Sequence, residues 1–355
     1  MDFKEETKNL IKVLVYASTS LTYSYYIAKV IPKGFTRLLT ILPVVLLFIS
    51  IPLFFNSVHL IGVLSFLISW LANFKLILFA FGKGPLSAPL ISLSQFLSFA
   101  CFPIGKTDVN KNMSHESLMS YGIKGILLAI FLKAYHDYGD QMSPMLAWIL
   151  FAFSVYFFLE VMLGISSKIM GILLEVELDP QFDEPYLSTS LQDFWGRRWN
   201  VMVNRILYPT IYNPVRTLST RVIGRVWAPI PAILTTFAVS GLMHELIFFY
   251  FTRDWPTWDT MLFFCLHGVS MVMEIVIKKS VNVKWRLPHH ITTPFVVVFV
   301  FATSYWLFYP ELMRCQLVER AFEEYGAMIK IAKGVIPSHL QFVTHHDNKT
   351  IGLES

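Results

Sequence analysis

The feature that most constrains this chain is a series of apolar runs, each close to 20 residues long. A helix needs about that many residues to cross a bilayer, whose hydrocarbon core is roughly 30 Å thick. Runs of this kind fall at 10–28, 37–55, 58–81, 118–135, 145–173, 229–251, 261–277 and 291–309. They predict about eight membrane spans. Composition agrees, with 55% hydrophobic residues, 15% charged residues and a mean hydropathy of +0.54; a soluble domain carries roughly 25% charge. A membrane β-barrel would show short alternating segments instead, and there are none. The expected fold is all-α, a polytopic helical membrane protein forming one domain over 1–355, with a flexible tail from about 335.

Interruptions place the remaining elements. Residues 82–117 hold Gly82, Gly84, Pro85, Pro89 and Pro103. The apolar part of that stretch, 90–102, is too short to span and reads as an interfacial or re-entrant helix. Pro43 and Pro52 lie in the second run and predict kinks. Asn73 and Lys75 lie near the end of the third, where the simplest reading has Lys75 snorkelling to the interface. His136 and Asp137 are neighbours in a polar turn, and adjacent helical residues face different ways. Glu160 stands within an apolar run and is expected to face the bundle interior. Residues 174–192 read as an acidic loop, and the chain beyond Pro310 as a polar, weakly amphipathic tail. Cys101, Cys265 and Cys315 are widely spaced and form no CxxC, so neither a disulfide framework nor a metal site is expected.

Basic residues cluster in two places. Arg197, Arg198, Arg205, Arg216, Arg221 and Arg225 occupy 197–225 without an intervening acid, and Lys278, Lys279, Lys284 and Arg286 mark a second loop. Two spans separate the clusters, so both can face the cytosol, with the intervening RDWPTWD on the lumenal side.

The chemistry concentrates between 193 and 250. At helical spacing Trp195, Trp199, Met202 and Ile206 share one side of a helix over 195–206, opposite Arg197, Asn200 and Asn204. That pattern suits an interfacial helix on anionic lipid, or a polar face turned to a phosphate-rich ligand, which arginine recognises through paired hydrogen bonds. His244 sits in the middle of the apolar run AVSGLMHELIFFYF, with Ser240 one turn earlier and Glu245 beside it. Ala238 and Gly241 are expected to leave space nearby. A histidine at membrane depth marks a functional site by default, and its neutral imidazole is the form a general base requires. His267 and Glu274 in the next span are weaker candidates. Phosphate-loop, nucleophile-elbow and HExxH motifs are absent. So are the clustered histidine boxes of a di-iron enzyme.

Together, SWLANFKLILFAFGKGPLS, SLQDFWGRRWN and SGLMHELIFFY resemble the plant wax synthase branch of the membrane-bound O-acyltransferase family, over most of the chain. The resemblance implies a helical chamber in the endoplasmic reticulum membrane, an acyl-CoA donor and a hydrophobic alcohol acceptor. It also implies a buried catalytic histidine and an upstream asparagine, which map onto His244 and Asn200, with Trp199 and Glu245 as matching neighbours and Ser240 in support. On this reading a long-chain fatty alcohol becomes a wax ester by direct attack, and no covalent acyl-enzyme forms. Arg197, Arg198, Asn204 and Arg205 would hold the CoA phosphates. No metal, cofactor or nucleic-acid partner is expected; acyl-CoA is a substrate. A sterol acceptor, or acetyl transfer to diacylglycerol, remains open, as does the oligomeric state. A transporter is the reading from another class, though no repeated halves are visible.

Overall fold

A computed structural model describes residues 3–102, 118–174, 181–280 and 288–335. Every regular element among them is helical. Among the described residues, six helices are long and apolar enough to cross a membrane: Phe35–Phe54, Val58–Ala80, Pro144–Ile169, Pro229–Thr252, Asp259–Ser280 and His289–Leu307. The two other expected spans also form helices, Phe3–Val30 and Leu118–Tyr138. The chain is a polytopic helical membrane protein.

Helix Val58–Ala80 is the most enclosed of the six. Its middle, Ser65–Ala72, adopts the wider π register, an arrangement frequent at functional sites. Phe48 of the preceding span, Leu76 of this helix, Leu21 of Phe3–Val30, Phe96 of the short helix Leu93–Cys101 and Tyr250 of Pro229–Thr252 share one buried core. Pro229–Thr252 and Asp259–Ser280 form a close antiparallel pair. A Cβ on Gly241 would come within 2.7 Å of Met261 Sδ and 3.1 Å of its Cα, and one on Gly268 would meet Phe237 Cβ at 3.0 Å. Gly241 therefore makes room for a neighbouring helix, not for a ligand. This corrects the expectation of open space beside His244.

The short helix Leu93–Cys101 occupies the predicted re-entrant position and opens with a capping box of Ser92 and Gln95. Lys75 does not snorkel. It is fully buried, and its Nζ donates to Phe99 O at 2.6 Å and Phe102 O at 2.5 Å. The last carbonyls of a helix need partners, and where water is excluded an ammonium with three donors supplies them. Asn73 likewise donates to the carbonyls of Val45 and Ser69. Glu160 is buried and pairs with Lys124 at 2.6 Å, tying Pro144–Leu174 to Leu118–Tyr138.

The segment beyond Pro310 does more than its polarity suggested. Helix Leu317–Val335 docks through buried Glu324, which accepts from Val58 N at 2.6 Å, Ser57 Oγ at 2.9 Å and His59 Nδ1 at 2.6 Å. Glu324 thus caps the amino end of the central helix. Arg320 reaches Asn56 O and Phe251 O, and Arg253 reaches Pro52 O and Phe55 O. Buried Glu6 accepts from Asn56 N at 2.9 Å. These bonds gather one end of the bundle. The basic segments, at the start of Pro229–Thr252 and the end of Asp259–Ser280, lie at the other. The tail from about 335, and Lys284 and Arg286 of the second basic loop, fall outside the described residues.

Candidate functional site

His244 lies near the middle of Pro229–Thr252, and its own backbone fixes the tautomer of its neutral ring. Nδ1 is 2.7 Å from Ser240 O, one helical turn earlier. A carbonyl oxygen can only accept, so Nδ1 carries the proton and Nε2 of the neutral ring keeps its lone pair. Nε2 has no hydrogen-bond partner among the described residues. Aromatic rings surround the imidazole: Phe264 at 4.5 Å between centroids, Trp70 at 5.2 Å and Phe308 at 5.8 Å. Sequence reasoning missed these three, because an aromatic residue in an apolar run is ordinary. Trp70 comes from the π segment of the central helix.

Glu245, next to the histidine, faces elsewhere. It is buried and accepts from Met261 N at 2.8 Å, capping the first turn of Asp259–Ser280. Ser240 contributes its backbone carbonyl. Both neighbours therefore support the site through structure.

The basic segment departs from the expected single amphipathic helix over 195–206. A helical turn at Leu191–Asp193 continues as π helix through Phe194–Arg198, breaks, and restarts as Val201–Leu207. Asn200 makes the break. Its φ of 41° and ψ of 65° lie in the left-handed region, and its Oδ1 accepts from Val203 N at 3.4 Å. Asparagine tolerates that conformation and favours the N-cap position. The break sends Trp199 and Met202 to different places. Trp199 stacks with Phe194 and packs against Phe182 and Tyr156. Met202 and Ile206 pack with Trp70, Val239 and Met243. Asn200 thus opens a helix that shares one apolar cluster with both the His244 helix and Trp70. No hydrogen bond joins Asn200 to His244, and Asn200 Nδ2 has no partner among the described residues.

The four residues expected to hold phosphates divide. Arg198 is engaged internally: Nε donates to Asp193 Oδ2 at 2.9 Å, and Nη1 to Asp183 O at 3.0 Å and Glu184 O at 3.3 Å. Asn204 Nδ2 donates to Gly196 O at 2.6 Å. Both brace the segment itself. Arg197 is exposed and has no protein partner among the described residues, while Arg205 lies on Val201–Leu207 and has a protein contact. Beyond this segment, Arg216, Arg221 and Arg225 ride on helix Asn213–Trp227, which is broken at Gly224 where φ is 80°. Leu218, Val222 and Val226 of this helix are exposed apolar residues, the pattern of an interfacial helix. At the same end of the bundle a cleft of about 180 Å³ runs from Trp227 to Ile233 and Lys279. Ile233, which lines the cleft, belongs to a buried cluster with Phe237, Phe263 and Phe264, and Phe264 packs on His244.

His267 and Glu274 are both engaged with the basic segment. Trp195 Nε1 donates to His267 Nδ1 at 3.1 Å, His267 Nε2 lies 2.9 Å from Thr303 Oγ1, and Glu274 Oε2 accepts from Leu191 N at 2.7 Å. His267 therefore has no nitrogen left for chemistry.

The fold and site define a class: a membrane-embedded helical protein with a histidine within a span, His244, whose Nε2 is free among aromatic rings, and a basic segment at one end of the bundle. Residues 178–266, which include both parts of this site, match the membrane bound O-acyl transferase family. The chain is 45% identical over 319 residues to acyl-CoA–sterol O-acyltransferase 1 of Arabidopsis thaliana, covering 87% of this chain and 92% of that protein. It is 42% identical over 325 residues to probable long-chain-alcohol O-fatty-acyltransferase 3 of the same plant, covering 90% and 94%. With the long-chain-alcohol O-fatty-acyltransferase of Simmondsia chinensis it shares 41% identity over 339 residues, covering 92% and 96%. The chain belongs to the membrane bound O-acyl transferase family, and it is an acyltransferase. The transporter reading falls with that membership.

Proposed function

We propose that this enzyme transfers the acyl group of an acyl-CoA to a long-chain fatty alcohol, forming a wax ester, with His244 as general base. The observation that carries the assignment is the Nδ1–Ser240 bond, which leaves the Nε2 lone pair unoccupied. Nε2 takes the hydroxyl proton as the alcohol oxygen bonds to the thioester carbonyl carbon. The carbon–sulfur bond then breaks, and the departing CoA sulfur takes the proton back from the imidazolium. Asn200 Nδ2, free of a protein partner, donates to the oxyanion that develops on the carbonyl. Arg197 and Arg205 meet the CoA phosphates at the basic end, while Arg198 and Asn204 keep that segment in shape. The chain acts as a single domain in the endoplasmic reticulum membrane, with the basic segment in the cytosol, and needs no cofactor beyond its two substrates.

The relatives named for long-chain alcohols support the acceptor. A sterol is the second reading, supported by the 45% identity to the sterol enzyme. The test is to purify the protein and offer acyl-CoAs of several lengths against fatty alcohol, sterol and diacylglycerol, with products identified by mass. Wax ester as the main product supports the proposal, and sterol ester alone would reassign the acceptor. A cysteine placed at Thr217 should be labelled from the cytosolic side; lumenal labelling would overturn the orientation.

A further inference from the structure

Two side chains of Asp259–Ser280 grip the segment that carries Asn200. Glu274 accepts from Leu191 N at 2.7 Å and His267 from Trp195 Nε1 at 3.1 Å. Leu191 and Trp195 are four residues apart, one turn of a helical segment, while Glu274 and His267 are seven apart, two turns of the same face. The contacts run antiparallel. As the chain advances from Leu191 to Trp195, its partner moves seven residues deeper into the span, about 10 Å at helical rise. The segment thus dips into the bundle and brings Trp195 to the aromatic layer around His244. Its ring packs on Phe264 at 5.7 Å, and Phe264 packs on His244 at 4.5 Å.

The protons in this contact are determined. Indole N–H can only donate, so His267 Nδ1 accepts and Nε2 carries the hydrogen. Nε2–H then donates to Thr303 Oγ1, whose own hydrogen goes to Phe299 O at 2.8 Å. Trp195, His267, Thr303 and a backbone carbonyl form a chain in which His267, fully buried, uses both nitrogens. Such a chain holds one geometry, because any shift strands a buried polar atom.

We propose that His267 is a positioning residue: through Trp195 it fixes the depth of the segment 191–200, and so the placement of Asn200 relative to His244. This rests on the assignment of His244 and Asn200 above. Displacement of a reacting group by about 1 Å can cost 10²-fold in rate, so losing the grip is expected to lower kcat about 10–100-fold, while KM for acyl-CoA rises by no more than about two- to fivefold, the scale of the exposed Arg197 contact carried on the same segment.

The test uses two amides of different reach in the full-length purified enzyme. In His267→Asn the amide oxygen falls where Nδ1 was and still accepts from Trp195. In His267→Gln the amide reaches towards Thr303 and releases Trp195. Trp195→Phe removes the donating N–H together with one ring of the indole, and keeps an aromatic ring on Phe264. The proposal expects kcat of His267→Asn within about threefold of wild type, and losses of about 10–100-fold in His267→Gln and Trp195→Phe. The double variant Trp195→Phe with His267→Gln should lose no more than the worse single one. Equal kcat for the two amide variants, or a wild-type kcat for Trp195→Phe, would overturn it. If either histidine variant fails to fold, Trp195→Phe decides alone. His244→Ala, run beside them, separates the two levels: if it is inactive and Trp195→Phe is not impaired, only the positioning role is lost. If His244→Ala keeps full rate, the site assignment itself fails.

Discussion

Replacing Asn200 by glycine and by alanine separates what this residue does for the fold from what it does for the reaction. Asn200 sits at φ 41° and caps Val201–Leu207 through Oδ1. Alanine loses the cap, worth about 1 kcal/mol, and must also hold a left-handed conformation costing about 1–2 kcal/mol. The sum for Asn200→Ala is about 2–3 kcal/mol. Glycine adopts the conformation freely and loses only a few tenths of a kcal/mol as a cap. Asn200→Gly should therefore melt close to wild type, and Asn200→Ala clearly below both. Activity should not follow stability. Each variant lacks the Nδ2 donor, and removal of one oxyanion donor costs about 10²–10³-fold in kcat. The assay is thermal unfolding of the purified protein in detergent, beside initial rates at saturating acyl-CoA. A glycine variant that turns over at the wild-type rate would reduce Asn200 to a cap. An alanine variant as stable as the glycine one would refute the backbone argument.

Other substitutions test the surrounding assignments. Arg197→Ala should raise KM for acyl-CoA about two- to fivefold, the scale of one exposed ion contact, without lowering the melting temperature. Arg198→Ala should lower the melting temperature, since its donors serve Asp193, Asp183 and Glu184; the reverse pattern in steady-state kinetics and thermal melts would refute the division. Glu245→Ala should destabilise by about 1–2 kcal/mol through loss of the cap on Met261 N, whereas Glu245→Gln, which keeps an acceptor, should melt near wild type. The variant with Cys101, Cys265 and Cys315 all changed to alanine should keep its kcat. Cys315 is buried, and burial pushes its thiol up to about 12, so it supplies no thiolate near neutral pH. A labelled acyl group trapped on the denatured wild-type protein would overturn direct attack.

The spans were legible in the sequence because membrane crossing imposes a length and an apolar composition on each one separately. His244 was legible for the same reason, as a polar side chain at a depth where such groups are costly. What could not be read were features set by contacts distant in sequence or by a single backbone angle. Lys75 looked like a snorkelling residue because its acceptors, Phe99 O and Phe102 O, lie at the end of a separate helix. Gly241 looked like open space because the occupant, Met261, lies on the next helix. The pattern over 195–206 fitted a continuous helix until the left-handed angle at Asn200 divided it. Arg197 and Arg198 are neighbours of one residue type, and only the positions of Asp183, Glu184 and Asp193 distinguish them. The role of Glu324 depends on the start of a helix more than 260 residues earlier.

The central claim is that His244 Nε2 accepts the alcohol proton. The measurement is turnover of His244→Ala beside its acyl-CoA affinity and melting temperature. The account predicts a folded protein that binds acyl-CoA and loses about 10²–10⁴-fold or more in kcat, the usual worth of a general base. A folded, acyl-CoA-binding His244→Ala that esterifies alcohol at the wild-type rate would contradict it.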